Sequence, residues 1–114
     1  MSEIVEVPVP VDLIEADTTA ANGYNFGVYQ SSSYLKTRQQ AFDWCAKNPK
    51  YKFADIPNDS WRKALAQIAN GPLWIYAWQG NNYDNGNVQL HTNAQITATE
   101  DGSQQLGFVV QWSS

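Results

Sequence analysis

From Leu73 onward the apolar residues fall at every second position, whereas between Thr37 and Gly71 they recur three and four apart. No other feature constrains the fold as strongly, because residues two apart share a strand face and residues three or four apart share a helix face. Thr37 with Gln40 three positions on makes a capping box, and the run Gln39 to Lys47 puts Ala41, Phe42, Cys45 and Ala46 on one helical face before Asn48 and Pro49 stop it. A second helix starts near Asn58, Asp59 or Ser60, carries Trp61, Ala64, Leu65 and Ile68 inward, and ends at Asn70, Gly71 and Pro72. Between them Tyr51, Phe53 and Ile56 tie the connection to the core, with room for a very short strand. Trp74 to Trp78 reads as a strand. Val88, Leu90, Thr92, Ala94, Ile96 and Ala98 then line one face of a longer one whose other face, Asn87 to Thr99, is polar. Asp101 and Gly102 supply a turn into Leu106, Phe108, Val110 and Trp112, which predicts a hairpin over residues 94–112. Upstream, Tyr24, Phe26 and Val28 alternate with Asn25, Gly27 and Tyr29 as a first strand. The expected class is α+β: two short helices packed on an antiparallel sheet, built from residues 24–114.

Before that domain, Val5, Val7, Val9 and Val11 alternate with Glu6, Pro8 and Pro10. Prolines lack the N–H a central strand needs, so this segment is an edge strand or an extended arm. The expectation is an arm over residues 1–23, joined by the polar link Asp17 to Gly23, whose valines pack on their own domain or in a groove of a neighbouring subunit.

The chain of 114 residues holds 7 Lys and Arg against 11 Asp and Glu, a net charge of −4. Reading those seven cations as scattered excludes a nucleic-acid partner, which needs clustered Lys and Arg to displace counterions. The length suits one domain beyond the arm, and no apolar run approaches the roughly 18 residues of a membrane span. Met1 to Glu6 is acidic where a secretory leader would be basic, so the expectation is a chain made in the cytoplasm without a signal peptide. Asn, Gln, Ser and Thr total 34 of the 114 residues. A surface solubilised by amides and hydroxyls meets a large partner without stripping water from many charges. Of the aromatic residues, Trp44, Trp61 and Trp74 are assigned to the core, while Trp78 and Tyr83 lie nearer a loop and are candidates for contact.

Strand, helix, helix and then antiparallel strands is an order that resembles the C-type-lectin-like domain over residues 24–112. Ala41 and Cys45 have the spacing of that family's first helix, Phe53, Ala54, Asp55 and Ile56 follow at a similar distance, and Trp74 with Ile75 looks like its Trp-Ile-Gly-Leu strand. The chain departs from the pattern in three places. The family's helix cysteine normally bridges to the last strand, but Phe108 to Gln111 offers no thiol; Tyr76 stands where glycine is usual; and 40 residues after Trp74 are too few for the full long loop. The resemblance therefore implies a compact variant. The family's calcium triplets Glu-Pro-Asn and Gln-Pro-Asp, and its Trp-Asn-Asp run, do not occur, so any sugar binding it implies would be calcium-independent.

Chemistry-bearing residues are sparse. His91 is the only histidine and falls on a polar strand face, and Cys45 is the only cysteine and falls on an apolar helix face. The carboxylate pairs Asp55 with Asp59 and Asp84 with Asp101 have no spacing that brings them together, and no glycine-rich phosphate loop occurs. The expectation is a protein with no catalytic residue, metal or cofactor. The loop Gln79 to Asn87, with Asn85 and Gly86 as a tight turn, holds the candidate ligand-binding set Trp78, Asn81, Asn82, Tyr83 and Asp84. Three functions fit: an accessory protein of a viral or phage particle, of decoration or tail type, docking its valine arm on other subunits and able to form homo-oligomers; a calcium-independent domain binding a glycan or receptor; and an acidic inhibitor of a host enzyme.

Overall fold

The computed structural model describes residues 3–16, 24–84 and 86–113. Along the chain it forms β1 (Val5–Val7), α1 (Val11–Ala16), β2 (Asn25–Tyr29), a 3-10 turn (Ser32–Tyr34), α2 (Arg38–Lys47), β3 (Lys52–Phe53) and β4 (Asp55–Ile56). There follow α3 (Asp59–Ile68), β5 (Leu73–Trp74), β6 (Ala77–Trp78), β7 (Asn87–Leu90), β8 (Ile96–Thr99) and β9 (Gly107–Trp112). The class is α+β with a mostly antiparallel sheet and, among the described residues, three short α-helices where two were expected. The polar link of residues 17–23 and the Asn85 half of the Asn85–Gly86 turn lie outside the described residues.

Strand β9 organises the sheet, whose order is β1-β2-β9-β5-β7-β8. Along one edge β9 pairs antiparallel with all of β2; along the other it takes β5 in parallel at Gly107–Phe108 and β3 antiparallel at Val110–Gln111. Its six residues are all buried because helices cover both faces. Val109 joins Phe26, Val28, Leu73, Ile75 and the α3 residues Trp61 and Leu65 in one core cluster; Phe108, Val110 and Trp112 join Tyr29, Trp74 and the α2 residues Ala41 and Cys45 in the other. Trp61 lies 4.6 Å from Phe26, and Phe108 stacks on Tyr29 at 5.4 Å, so large rings fill both layers. Both caps form as the sequence predicts. Thr37 and Gln40 exchange hydrogen bonds at the start of α2, and the Asn58 side chain accepts from the Trp61 amide at the start of α3.

The expected hairpin over residues 94–112 does not form. Residues 87–99 fold on themselves instead, with Val88 opposite Ala98 and Leu90 opposite Ile96, while β9 finds its partners elsewhere. The reversal at His91–Gln95 is held by the His91 amide donating to the Gln95 carbonyl, the Ala94 amide donating to the His91 carbonyl and the Gln95 amide donating to the Asn93 carboxamide oxygen, with Ala94 at φ 71°. It pairs even-numbered residues with even-numbered ones, so the polar–apolar alternation passes through the turn without a break. The Trp74–Trp78 strand is also divided. After Ile75 the chain leaves the main sheet at Tyr76, and Ala77–Trp78 runs parallel to Asp55–Ile56 as a separate two-stranded ribbon.

The leading valines do not form an extended arm. Val5–Val7 is the edge strand of the sheet, paired with Val28, Gly27 and Phe26. Pro8 and Pro10 end the strand, and Val11 opens helix α1. Val7 is buried, and Val9 and Leu13 pack against the α3-side core. Ile4 fills the space over Gly27, where a Cβ would sit 2.7 Å from its side chain. Glu3 accepts hydrogen bonds from Ser31 and Ser33, and Ser60 donates to Asp12. Only Val5 and Val11 face outward, at 41% and 69% exposure.

One glycine tests how tightly β9 is seated. A Cβ at Gly107 would meet the Tyr29 carbonyl oxygen at 2.6 Å and Gln30 Cα at 3.0 Å, backbone atoms that no rotamer change can move. Gly107→Ala is expected to lower stability by about 1–3 kcal/mol in urea unfolding with an unchanged slope.

Candidate functional site

Helix α2 turns Ala41 and Cys45 into the core and half-buries Trp44, which makes the inward stripe i, i+3, i+4. Phe42 and Ala46, expected on that stripe, lie one step round the helix and are exposed. They face the bend at Tyr76, where the chain leaves the main sheet. Between helix and bend lies a shallow groove of about 280 Å³, lined by Phe42, Cys45, Ala46, Tyr51, Lys52, Phe53 and Tyr76. Phe42 and Tyr76 stand 6.5 Å apart across it, 44% and 37% exposed, and Phe53 lies behind Tyr76 at 6.2 Å.

Arg38 lies at the N-terminal end of α2, its guanidinium carbon 5.4 Å from the Phe53 ring centre and 6.0 Å from that of Tyr76. Nη2 donates to the Tyr76 carbonyl at 3.4 Å, but Nε is buried with no hydrogen-bond partner. Loss of water around the guanidinium lowers its pKa, opposed by the nearby Tyr76. The cations are not scattered. Lys36, Arg38, Lys47, Lys50 and Lys52 fall within 17 residues that hold one acid, Asp43, while the rest of the chain has two cations and ten acids. Among the described residues the ion pair formed is Arg62 with Asp59, which leaves those five without a carboxylate partner.

The loop after β6 is built differently from the expected ligand site. Trp78 is half-buried, packed on the α3-side core with Arg62 over its ring at 5.6 Å. Its backbone exchanges both hydrogen bonds with Asn81, and the Asn81 carboxamide accepts from the Tyr83 amide. The Asn82 carbonyl accepts from Gly86. Tyr83 and Asp84 are exposed, and both adopt positive φ, at 53° and 57°, in a turn where the Gly86 amide donates to the Asn82 and Tyr83 carbonyls. Asn81 thus serves the loop's own shape, and Tyr83 is the ring it presents. A depression of about 510 Å³ beside the loop is lined by Tyr24, Phe26, Asp55, Pro57, Gln79, Gly80 and Gln111. Its polar groups are engaged with one another: Asp55 accepts from Gly80, and Gln111 accepts from the Asp55 amide.

The remaining reactive groups are held apart. Asp59 pairs with Arg62, Asp55 binds Gly80, and Asp101 binds Ser103, whose hydrogen bonds lower its pKa. His91 bonds Thr97 across the β7–β8 hairpin at 2.6 Å. No group of three or more His, Cys, Asp or Glu that could hold a metal occurs among the described residues, and no described helix is long and apolar enough to cross a membrane. Burial pushes the Cys45 thiol up to about 12. Two results are expected. The native protein resists iodoacetamide at pH 8 and is labelled only once unfolded. Stability falls as pH rises from about 9 towards 12, since the unfolded thiol loses its proton there and the folded one keeps it; Cys45→Ala removes that component of the slope.

No known family model matches the chain, and no curated protein matches it. Function is therefore argued from the surface itself. Periodicity sets Phe42 on the inward helix stripe and Tyr76 inside one continuous strand, whereas both are exposed, and Arg38 carries no periodic signal at all. The signal that was present is the crowding of five cations around α2 in an acidic chain.

Proposed function

We propose that this protein is a non-catalytic binding module of lectin-like architecture that recognises another protein through the face formed by α2, β3 and the bend at Tyr76. One observation carries it: aromatic side chains that elsewhere fill the core come to the surface side by side at Phe42 and Tyr76, over a groove beside which the partly buried Arg38 lies against Phe53 and Tyr76. Aromatic residues and Arg are the side chains enriched where interfaces concentrate their binding energy. The lectin-like reading draws support from the order β2, α2, α3 and then β5 to β9, and from the position of Cys45. The thiol shares a buried cluster with Phe108 and Val110 of β9, the last strand, where that family's bridging partner would stand. An accessory role on a viral particle would run through this face, since Val7 and Val9, two of the four valines expected to dock, pack on their own core and Val5 pairs with its own sheet.

A photo-crosslinking residue placed at position 42 or at position 83 in the full chain tests the reading in the producing cell. A discrete adduct with one protein from position 42, and none from 83, is the expected outcome. Adducts from 83 alone, or a glycan-array signal lost in Tyr83→Ala, would move the site to the loop.

A further inference from the structure

We infer that the occupant of the groove is an acidic segment of a partner protein that inserts a bulky apolar side chain between Phe42 and Tyr76 and sets a carboxylate against Arg38. This rests on the proposed binding role and adds the chemistry of what is bound. The apolar half follows from the lining: Phe42, Phe53, Tyr76 and the wall of Ala46 surround about 280 Å³, room for one leucine- or phenylalanine-sized side chain. The acidic half follows from charge. Arg38 is partly stripped of water, keeps a buried Nε with no acceptor, and has no carboxylate partner among the described residues. Lys52 lines the same groove, and Lys36, Lys47 and Lys50 are its neighbours in the chain, against Asp43 alone. A carboxylate arriving here gains charge-assisted hydrogen bonds from a guanidinium that folding has already partly stripped of water and whose planar shape suits two-point contact. A basic segment would meet repulsion from Arg38 and Lys52, and a neutral amide would supply a weaker, uncharged acceptor. The capping box at Thr37 and Gln40 occupies the end of α2, so the helix terminus itself is not the anion site.

The test is a titration of the full chain, followed by amide chemical shifts, with three capped hexapeptides of one pattern. The first alternates Glu with Leu and Phe, and the others replace each Glu by Gln or by Lys. The acidic peptide is expected to shift residues of α2 and the Tyr76 bend, and to bind at least about tenfold more tightly than the Gln version at low salt. Its affinity should fall severalfold between roughly 50 and 300 mM NaCl, as screening of the attraction to the exposed Lys52 and its neighbouring lysines requires. Phe42→Ala and Lys52→Gln alter exposed side chains and should each weaken it while leaving the unfolding midpoint in place. Arg38→Gln should abolish the preference for Glu over Gln. Equal binding of the Glu and Gln peptides at this face would overturn the acidic partner while upholding the binding face. Shifts confined to residues 78–86, or no shifts from any peptide in a folded protein, would overturn both. Self-association that Phe42→Ala relieves would assign the groove to a second copy and overturn the inference too.

Discussion

Phe108→Ala is expected to cost about 3–5 kcal/mol, enough to leave the protein close to half unfolded if its total stability lies at the low end of the usual range. The ring is fully buried in the central strand, stacked 5.4 Å from Tyr29 and in edge contact with Trp44 at the same distance. Tyr29 in turn touches Tyr34 and Tyr51, so Phe108 anchors a connected set of rings that lies between α2 and the sheet. Such rings cannot collapse into the space it leaves without tilting away from one another. Burial and the neighbouring Tyr51 raise the Tyr29 pKa, which makes loss of this packing visible as a phenol that ionises at lower pH in the variant. Urea unfolding measures the cost, and a change below about 1 kcal/mol would mean that the layer is looser than these contacts imply.

Removal of residues 1–10 is the second large effect, and it separates the two readings the sequence leaves open, valines packed on their own domain and an arm that docks elsewhere. A free arm could be deleted without harm to the domain. An edge strand cannot: the deletion takes away Val7 and Val9 from the core and Ile4 from above Gly27, and it uncovers Phe26 and the Trp112 ring beside it. Summing one buried valine and two half-buried aliphatic side chains gives about 3–5 kcal/mol. For a domain of this size that is roughly 12–20 °C in Tm. Thermal unfolding of the truncated chain decides the matter, and an unchanged midpoint would restore the free arm. The single substitution Val7→Asp should reproduce most of the loss, since it places an unpaired charge in the same position.

The sequence revealed local structure better than it revealed pairing. Both capping signals produced helices where they stand, because a cap and an amphipathic stripe are complete within a dozen residues. The alternation of β9 is also legible, but which strands it joins depends on residues 34 to 87 positions away, and period two carries no information about that. At His91–Gln95 the turn preserves the parity of the pattern and so leaves no mark in it. The groove was hidden for a related reason. Phe42 adjoins Ala41 in the apolar pattern, yet it lies one step round the helix from the buried residues and meets the exposed ring of Tyr76. The charge bias is also written in the sequence, where five of the seven cations fall within residues 36–52 beside one acid.

The placement of Gly107–Trp112 between β2 on one side and β3 with β5 on the other also has a consequence during synthesis. Every neighbour of that segment leaves the ribosome earlier, so until it emerges the two halves of the domain have no shared backbone ladder and two apolar strand margins stand open. Shorter nascent fragments should therefore bind holdase chaperones and resist compaction. Closure is a late event dominated by distant contacts, the kind that makes refolding slow.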